Sequence, residues 1–403
     1  MNKIGLLRHN GIKGFRRDFT PKLIKRVVNL LGVKKIFLEN GYGNDIGFND
    51  GNYFFNKNIE FHTRNFILHN SDFILSLTGI DDKEIEFLNE GQTLVSFLHY
   101  PTHPKRNILL NSRNINVVSL DELKDFRGER LIEDFETTAY NAMTEGFIQL
   151  RKALGEEYWS SRSRKHITVY IMGFGQVGKY AVEAALKMGK TNFQEELKKN
   201  GGNFIVEVVP TTSYHSEQRF YLQKIISKSL ITGGSPHILV DVSQRKILSQ
   251  HFITEDVISM LPKETIIVDI TADRYEDSSV VKAIQGIPTG SEKQYVFLPD
   301  DEAWENQLLV PRQYQLKTDN RRVVVSHYAW PSYGTVADRI YNMEKYANQL
   351  LPILEKLQKM NLKDLKQYNL NEWSLEKAIY QSTLNYFLEK NGLFSTHQQN
   401  PNT

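Results

Sequence analysis

Three glycines near the middle of the chain have the spacing needed to hold a dinucleotide. Gly173, Gly175 and Gly178 form a G-x-G-x-x-G pattern that follows the apolar run "HITVYIM" and opens the helical pattern "VGKYAVEAALKMG". The first glycine allows a tight turn, the second lets backbone approach a pyrophosphate, and the third lets helix pack on strand. With Gln176 and Val177 between them, they predict a pyrophosphate site at a helix N-terminus. An ordinary strand-to-helix turn is the alternative.

The sequence of the next strand does not decide between NAD and NADP as the cofactor. An acidic residue commonly ends the second strand of a dinucleotide domain and binds the ribose. Here Glu207 lies inside the strand, after the enlarged crossover "KTNFQEELKKNGGN", and the strand end offers Thr211, Thr212 and Ser213, with Arg219 nearby. These groups could accommodate a 2′-phosphate or simply cap the following helix. NAD and NADP therefore both remain candidates.

Composition excludes several other chemistries. The 403 residues include no cysteine, so disulfides, zinc–thiolate sites and a cysteine nucleophile are excluded. A net charge of +3 does not argue for nucleic acid. His9, His99 and His103 are too unconnected in sequence to argue for a metal site. The first residues lack the apolar core of a signal peptide, and no run approaches the roughly 20 apolar residues of a membrane span. We expect a soluble, cytoplasmic protein that binds neither nucleic acid nor membrane.

Two successive series of strands and helices must position these groups. In the first half, the short apolar runs are "NKIGLL", "KKIFLEN", "NFILHN", "DFILSLTG", "TLVSFLHY" and "NVVSLD". Together with segments of helical period they indicate strands of a parallel sheet covered by helices. The long helical stretch "FETTAYNAMTEGFIQLRKALGEEYW" leads to a second series that begins at "HITVYIM" and has the rhythm of a doubly wound domain. The helical C-terminal segment has no strands of its own, so we expect it to pack on the first half.

Six further stretches occur in a recognisable order: "RRDFTP", "LENGYGNDIGFNDGNYF", "EGQTLVSFLHYP", "AMTEG", "ISMLPKETIIVDITAD" and "HYAWPSYGT". Together they resemble segments of the alanine dehydrogenase and pyridine nucleotide transhydrogenase family, which includes saccharopine dehydrogenase and carboxyethyl-ornithine synthase. The resemblance runs from "GFRRDFTP" to about "LLPIL" and covers most of the chain. Each stretch alone is weak evidence for the family, but six stretches in the family's order are specific evidence.

The resemblance implies an α/β fold with two doubly wound parallel-sheet domains. A central Rossmann domain is inserted into a substrate domain built from both chain ends, with a cleft between them that closes over the substrate. We expect the first part of the substrate domain at residues 1–134, the dinucleotide-binding domain at 135–334, and a helical return at 335–403 that packs on the substrate domain. The family also implies a homo-oligomer.

The matched motifs imply roles for four residues. Arg16 matches the arginine that holds a substrate carboxylate, a task that a guanidinium fork suits; the adjacent Arg17 is the alternative. His99 matches the histidine that hydrogen-bonds the reacting carbonyl or imine, and histidine titrates near neutrality. Asp273 matches the catalytic aspartate that manages a proton. Thr144 takes the place of a serine that contacts cofactor phosphate. A surface arginine, a structural histidine and a helix cap are the structural alternatives.

One strand departs from the family pattern. "DFILSLTGI" puts Ser76 and Thr78 where the family has lysines, the second of which contacts the carbonyl and carboxylate end of the substrate. Loss of that ammonium removes a charge-assisted hydrogen bond of about 1.5 to 3 kcal/mol, and Thr78 offers only a neutral hydroxyl in this substrate-binding position. Four cationic groups from nearby segments are candidates to replace it: Arg8, His9, Lys13 and Lys105.

The resemblance thus implies an NAD(P)-dependent oxidoreductase of the alanine dehydrogenase type. It would transfer hydride between nicotinamide and the 2-carbon of an amino acid/2-oxo acid pair, with alanine and pyruvate favoured by the family. The missing lysine and the enlarged crossover favour the alternative of an opine- or saccharopine-type dehydrogenase that acts on a secondary amine. A nucleotide-binding sensor that has lost catalysis is the hypothesis from another class.

Overall fold

The structure of the protein is a computed structural model that describes residues 2–11, 13–161, 165–191, 193–209, 224, 235–243, 249–271, 281–291, 293–305, 316–361 and 364–393. The chain forms two compact units. Unit 1 contains the described residues of 1–133 and 335–403, and unit 2 contains those of 134–334. The two ends of the chain therefore share one unit, and the glycine-rich segment lies in the other.

Unit 1 is built on a parallel sheet of six strands. The strands are β1 (Lys3–Leu6), β2 (Lys35–Glu39), β3 (Ile59–His62), β4 (Phe73–Leu75), β5 (Thr93–Ser96) and β6 (Asn116–Ser119). Their order is β3-β2-β1-β4-β5-β6, and every neighbouring pair is parallel. The order reverses between β1 and β4, which is the position where open α/β sheets bind ligands.

Unit 2 also contains a sheet of six strands. They are β7 (His166–Met172), β8 (Asn203–Val209), β9 (Ile238–Asp241), β10 (Ile266–Asp269), β11 (Val296–Phe297) and β12 (Val323–Ser326). Their order is β11-β12-β10-β9-β7-β8, with only the short edge strand β11 antiparallel among these strands. The predicted fold class, α/β with two doubly wound parallel sheets, is confirmed.

The α-helices of the described residues are α1 (Pro21–Leu31), α2 (Arg64–Asn70), α3 (Asp82–Ile85), α4 (Pro104–Ser112), α5 (Phe135–Leu154), α6 (Glu156–Ser160), α7 (Gln176–Leu186), α8 (Phe193–Lys199), α9 (Glu255–Met260), α10 (Val336–Lys359), α11 (Leu375–Gln381) and α12 (Leu384–Lys390). Helices α10 to α12 belong to unit 1. Buried side chains of α10, including Met343, Leu350 and Leu354, join the core of the first sheet.

One predicted strand is wrong. The run "NFILHN" forms helix α2, and the strand of this region is β3, formed by the preceding "IEFH". The Thr63 hydroxyl caps the helix by accepting a hydrogen bond from the backbone N–H of Phe66, at 3.4 Å. Short apolar runs do not distinguish a strand from a short helix, because both can bury such a run.

The described residues lack two features, a membrane-spanning helix and a cluster of metal ligands. Within them, no helix is both long enough and apolar enough to cross a bilayer. The same residues contain no group of three or more histidine, aspartate or glutamate side chains that could hold a metal ion.

Candidate functional site

The loops that follow β1, β4 and β5 meet at the carboxyl edge of the first sheet. The backbone N–H of Asn10, after β1, donates to the Thr78 hydroxyl, after β4, at 2.9 Å. The Ser76 hydroxyl donates to the Thr78 carbonyl at 2.7 Å. The first bond joins the two loops at the point where the strand order reverses, and the second lies within the loop after β4. Thr78 therefore lies at the expected ligand-binding edge, with its hydroxyl already used as an acceptor.

Arg17 is a buried guanidinium at this edge. Only 8% of the residue is exposed. Its Nη2 lies 3.4 Å from Nε2 of His9, and its Cζ lies 5.6 Å from the ring centroid of Tyr346 in α10. Its Nε and Nη1 have no hydrogen-bond partner among the residues that the structure describes. A buried charge is costly unless it is paired, so these donors suit an anionic ligand.

Two acids of the neighbouring loops, Asp18 and Asp45, do not compensate Arg17, because they bind other groups. Asp18 accepts from Nε of Arg8 at 3.1 Å and from the backbone N–H groups of His9 and Gly43 at 3.0 and 2.8 Å. Asp45 accepts from Nη2 of Arg8 at 3.1 Å. Arg8 is thus paired with two carboxylates and stabilises the loops themselves. Of the four candidates to replace the family lysine, His9 faces Arg17, and Lys13 and Lys105 are exposed.

The side chain of Arg16 points elsewhere. Arg16 is half-buried, and its Nε donates to the carbonyl of Gly11 at 2.6 Å. Its backbone N–H donates to Asp45 at 3.3 Å. Between the two arginines that the sequence offers, the structure brings Arg17 to the buried edge and Arg16 to the loop that precedes it. Arg17 is therefore the better placed of the two to bind a ligand at this edge.

His99 follows β5 and pairs with a buried carboxylate. Its Nδ1 lies 3.6 Å from Oδ2 of Asp121, whose side chain is 3% exposed, while 38% of the His99 side chain is exposed. Burial raises the pKa of Asp121, but His99, Arg130 and the Ser119 hydroxyl together lower it further, so the net pKa lies well below its usual range. Asp121 is therefore a carboxylate at neutral pH, and it pairs with Nδ1 of the imidazole, so that Nε2 lies on the side of the ring away from Asp121.

The backbone of His99 is also constrained. Its φ of 47° lies in the left-handed region, which costs a non-glycine residue about 1 to 3 kcal/mol. The carboxylate of Asp121 accepts from the N–H groups of Leu98 and His99 at 3.0 and 3.3 Å, and it accepts from the Ser119 hydroxyl at 2.6 Å. Asp121 thus fixes both the ring and the peptide of His99. Asp121 was not predicted from the sequence, although an acid two residues beyond a strand in "NVVSLDEL" was a usable signal.

In unit 2, the glycine-rich loop has the geometry that its spacing predicts. Gly173 follows β7 with a φ of 110°, and a Cβ there would lie 2.6 Å from the carbonyl oxygen of Val242, after β9. A Cβ on Gly178 would lie 2.5 Å from the carbonyl oxygen of Gly173, whereas a Cβ on Gly175 would meet nothing within 4 Å. Gly175 is the N-cap residue of α7, so open space adjoins the first N–H groups of that helix, which include those of Gln176 and Val177.

Thr144 lies in the middle of α5, away from this loop. Its hydroxyl donates to the carbonyl of Tyr140 at 2.7 Å and accepts from the backbone N–H of Lys190 at 2.8 Å. Lys190 follows the C-terminus of α7, whereas the glycine loop precedes its N-terminus. The 11 residues of α7 separate the two ends by about 16 Å. The structure therefore does not bring Thr144 to the glycine loop.

Some predicted positions fall outside the described residues. They are Asp273, the candidate catalytic aspartate, and the candidate 2′-phosphate ligands Thr211, Thr212, Ser213 and Arg219. Glu207 is described, and it is exposed in β8.

Comparison with known proteins finds a family match in the first part of the chain. Residues 13–137 match the family described as alanine dehydrogenase/PNT, N-terminal domain. The matched residues include Arg17, Thr78, His99 and Asp121, whereas His9, Asn10 and Tyr346 of the same edge lie outside the match. The family resemblance predicted from the sequence is confirmed.

Solved structures extend the likeness to the fold of almost the entire chain. An L-alanine dehydrogenase is 15% identical with a TM-score of 0.58, over 94% of this chain and 94% of that chain. A transhydrogenase from Sinorhizobium meliloti is 13% identical with a TM-score of 0.55, over 88% of this chain and 94% of that chain. At these identities the likeness shows a shared fold. A comparison with curated protein sequences found no match.

Proposed function

We propose that this protein is an NAD(P)-dependent oxidoreductase that transfers hydride between nicotinamide and the 2-carbon of an amino acid/2-oxo acid pair, with alanine and pyruvate as the first pair to test. The observation that carries the proposal is the buried guanidinium of Arg17, which lies on the ligand-binding edge of an alanine dehydrogenase/PNT domain with donors available to an anion. Amino acids and 2-oxo acids both present a carboxylate, which a guanidinium binds through two parallel hydrogen bonds.

The glycine loop fits the pyrophosphate of a dinucleotide. The open space beside Gly175 leaves room for phosphate at the N-terminus of α7, where N–H groups and the helix dipole favour negative charge. A Cβ at that position would occupy the space. When bound, the nicotinamide supplies the hydride acceptor or donor of the reaction. The residues that follow β8 in the sequence lie outside the described part of the chain, so NAD and NADP both remain part of the proposal.

Arg17 and His99 divide the work on the substrate. Arg17 binds the carboxylate and so orients the 2-carbon. His99, held at Nδ1 by Asp121, hydrogen-bonds the carbonyl or imine through Nε2. In the reductive direction a 2-oxo acid and ammonia lose water to give an imine, the 2-carbon receives hydride, and the nitrogen receives a proton. Asp273 is the second candidate to manage a proton and stays a prediction from the sequence.

Thr78 supports a second candidate reaction. Its neutral hydroxyl already accepts from Asn10, so the family lysine has no cationic counterpart at this position. This departure from the family pattern favours a different substrate, an imine formed from a 2-oxo acid and the amino group of a second amino acid, which is reduced to a secondary amine. The alternative function is therefore an opine- or saccharopine-type dehydrogenase.

A panel of substrates tests the proposal. Purified protein with NADH or NADPH is mixed with pyruvate and other 2-oxo acids, each with ammonia, a small amino acid or a basic amino acid, and the absorbance of the reduced nicotinamide is followed. Turnover with ammonia supports the alanine dehydrogenase type, and turnover only with an amino acid supports the secondary-amine reaction. Cofactor binding without turnover across the panel would overturn both and favour a sensor.

A further inference from the structure

Arg106, in the first turn of α4, is buried against the two loops of the candidate site that flank it. Only 8% of the residue is exposed. Its Nη2 donates a short hydrogen bond to the carbonyl of Leu98, the residue before His99. The guanidinium thus reaches from the helix that follows His99 back to the peptide that precedes it.

Gly79 makes room for this guanidinium. A Cβ on Gly79 would overlap Nη1 of Arg106 and would lie 3.0 Å from its Cζ. Any side chain at this position would therefore displace the Arg106 side chain. Gly79 follows Thr78 directly, so Arg106 also contacts the loop after β4. The Arg106 guanidinium therefore occupies space that is available only because residue 79 has no side chain.

The peptide between Leu98 and His99 is held through charged groups on both sides. The carboxylate of Asp121 accepts from the N–H groups of Leu98 and His99, and the guanidinium of Arg106 donates to the Leu98 carbonyl. Hydrogen bonds to charged partners are the stronger ones, and carbonyl and N–H are both satisfied here. His99 has a φ of 47°, a conformation that persists only where its surroundings fix it.

We propose that Arg106, seated on Gly79, is a positioning residue that acts through the Leu98 carbonyl to hold His99 in its left-handed conformation and so aims its imidazole. The geometry stands independently of the reaction, and its effect on turnover rests on the proposed function. Arg106 contributes to orientation of His99, whereas Arg17 contributes to substrate binding. Changes at Arg106 or Gly79 therefore act on kcat, and changes at Arg17 act on KM.

The test combines kinetics with a readout that needs no turnover. Arg106→Met removes the hydrogen bond to the Leu98 carbonyl. Gly79→Ala displaces the Arg106 side chain but keeps arginine at position 106. Alanine fits the Gly79 backbone because the φ of Gly79 is not in the left-handed region. Arg113→Met is the matched control, since Arg113 also donates to backbone carbonyls, those of Glu86 and Leu88, at 3.1 and 3.3 Å. The second readout is the NMR spectrum of protein labelled with 13C at histidine Cε1. The His99 resonance is assigned as the one that disappears in His99→Gln.

We expect Arg106→Met and Gly79→Ala to shift the His99 resonance and to lower kcat at least 10-fold with KM within twofold, and Arg106→Lys to recover part of the loss. Arg113→Met should leave both readouts unchanged. An unchanged His99 resonance in folded Gly79→Ala and Arg106→Met would overturn the proposal, as would an equal effect of Arg113→Met. If the unmodified protein turns over no substrate, the proposed function fails, and the resonance still decides the role of Arg106.

Discussion

Nδ1 of His99 lies 3.6 Å from Oδ2 of Asp121, and the same carboxylate accepts the N–H groups of Leu98 and His99 through Oδ1. One buried acid thus controls both the ring and the backbone of the candidate acid–base group. A carboxylate in this position selects the tautomer with hydrogen on Nδ1, which leaves Nε2 to accept or return a proton.

Replacement of Asp121 by asparagine should therefore impair catalysis. The asparagine side chain keeps a hydrogen-bonding group near the backbone N–H groups but loses the charge that supports a protonated imidazole. We expect kcat to fall about 100-fold, which is typical for disabling a general acid–base group. Asp125→Asn is the control, because Asp125 likewise accepts two backbone N–H groups, those of Arg127 and Glu129, but in another turn. Equal activity of the two variants would contradict the role of Asp121.

The same carboxylate should make stability depend on pH in the acid range. The pKa of Asp121 in the folded protein is lowered below its unfolded value, which is about 3.9. Its contribution is therefore fully present above the unfolded pKa and is lost as the pH falls through the range below about 4. Urea titrations of the unmodified protein and Asp121→Asn should differ in free energy of unfolding most at about pH 5 and above, and progressively less toward about pH 3.5. A difference that stays constant with pH would contradict a lowered pKa of Asp121 in the folded protein.

Two glycines of the phosphate loop should respond to alanine in opposite ways. Gly175→Ala introduces a methyl group into open space, so we expect unchanged thermal stability and NADH or NADPH binding weakened at least 10-fold. Gly173→Ala places a side chain at a φ of 110° and 2.6 Å from the Val242 carbonyl, so we expect a loss of stability of about 1 to 3 kcal/mol or more. Fluorescence titration and thermal melts separate the two effects. Unweakened binding by Gly175→Ala would contradict a pyrophosphate at this loop.

Thr144 allows a direct comparison between sequence resemblance and structure. Its hydroxyl donates to the Tyr140 carbonyl within α5 and accepts from the N–H of Lys190, which follows the C-terminus of α7. Thr144→Ala should therefore cost about 1 kcal/mol of stability and leave cofactor affinity unchanged. Denaturant titration and NADH or NADPH binding measure the two quantities. Markedly weaker binding would instead support the predicted contact with cofactor phosphate.

Local patterns predicted the glycine loop and, apart from β3, the strands of the first sheet, because each depends on residues close in sequence. Arg16 and Arg17 show what local patterns cannot settle: the motif fits both, and only the paths of the surrounding loops decide which side chain is buried. Asp121 was missed for a related reason. Its contact with His99 depends on β5 and β6 being neighbours in the sheet, and Arg106 depends on the missing side chain of Gly79, 27 positions away.

The proposed reaction depends above all on Arg17, rather than Arg16, binding the substrate carboxylate, and the matched pair Arg17→Met and Arg16→Met separates the two. Methionine keeps much of the length of the side chain and removes the charge. Among the described residues no acid pairs with Arg17, so loss of this buried cation should not lower stability. With the substrate that the panel identifies, we expect Arg17→Met to raise KM about 10- to 100-fold, the loss of a charge-assisted bond. Arg16→Met should change KM less than threefold. A large rise in KM for Arg16→Met with little change for Arg17→Met would contradict the assignment of the carboxylate to Arg17.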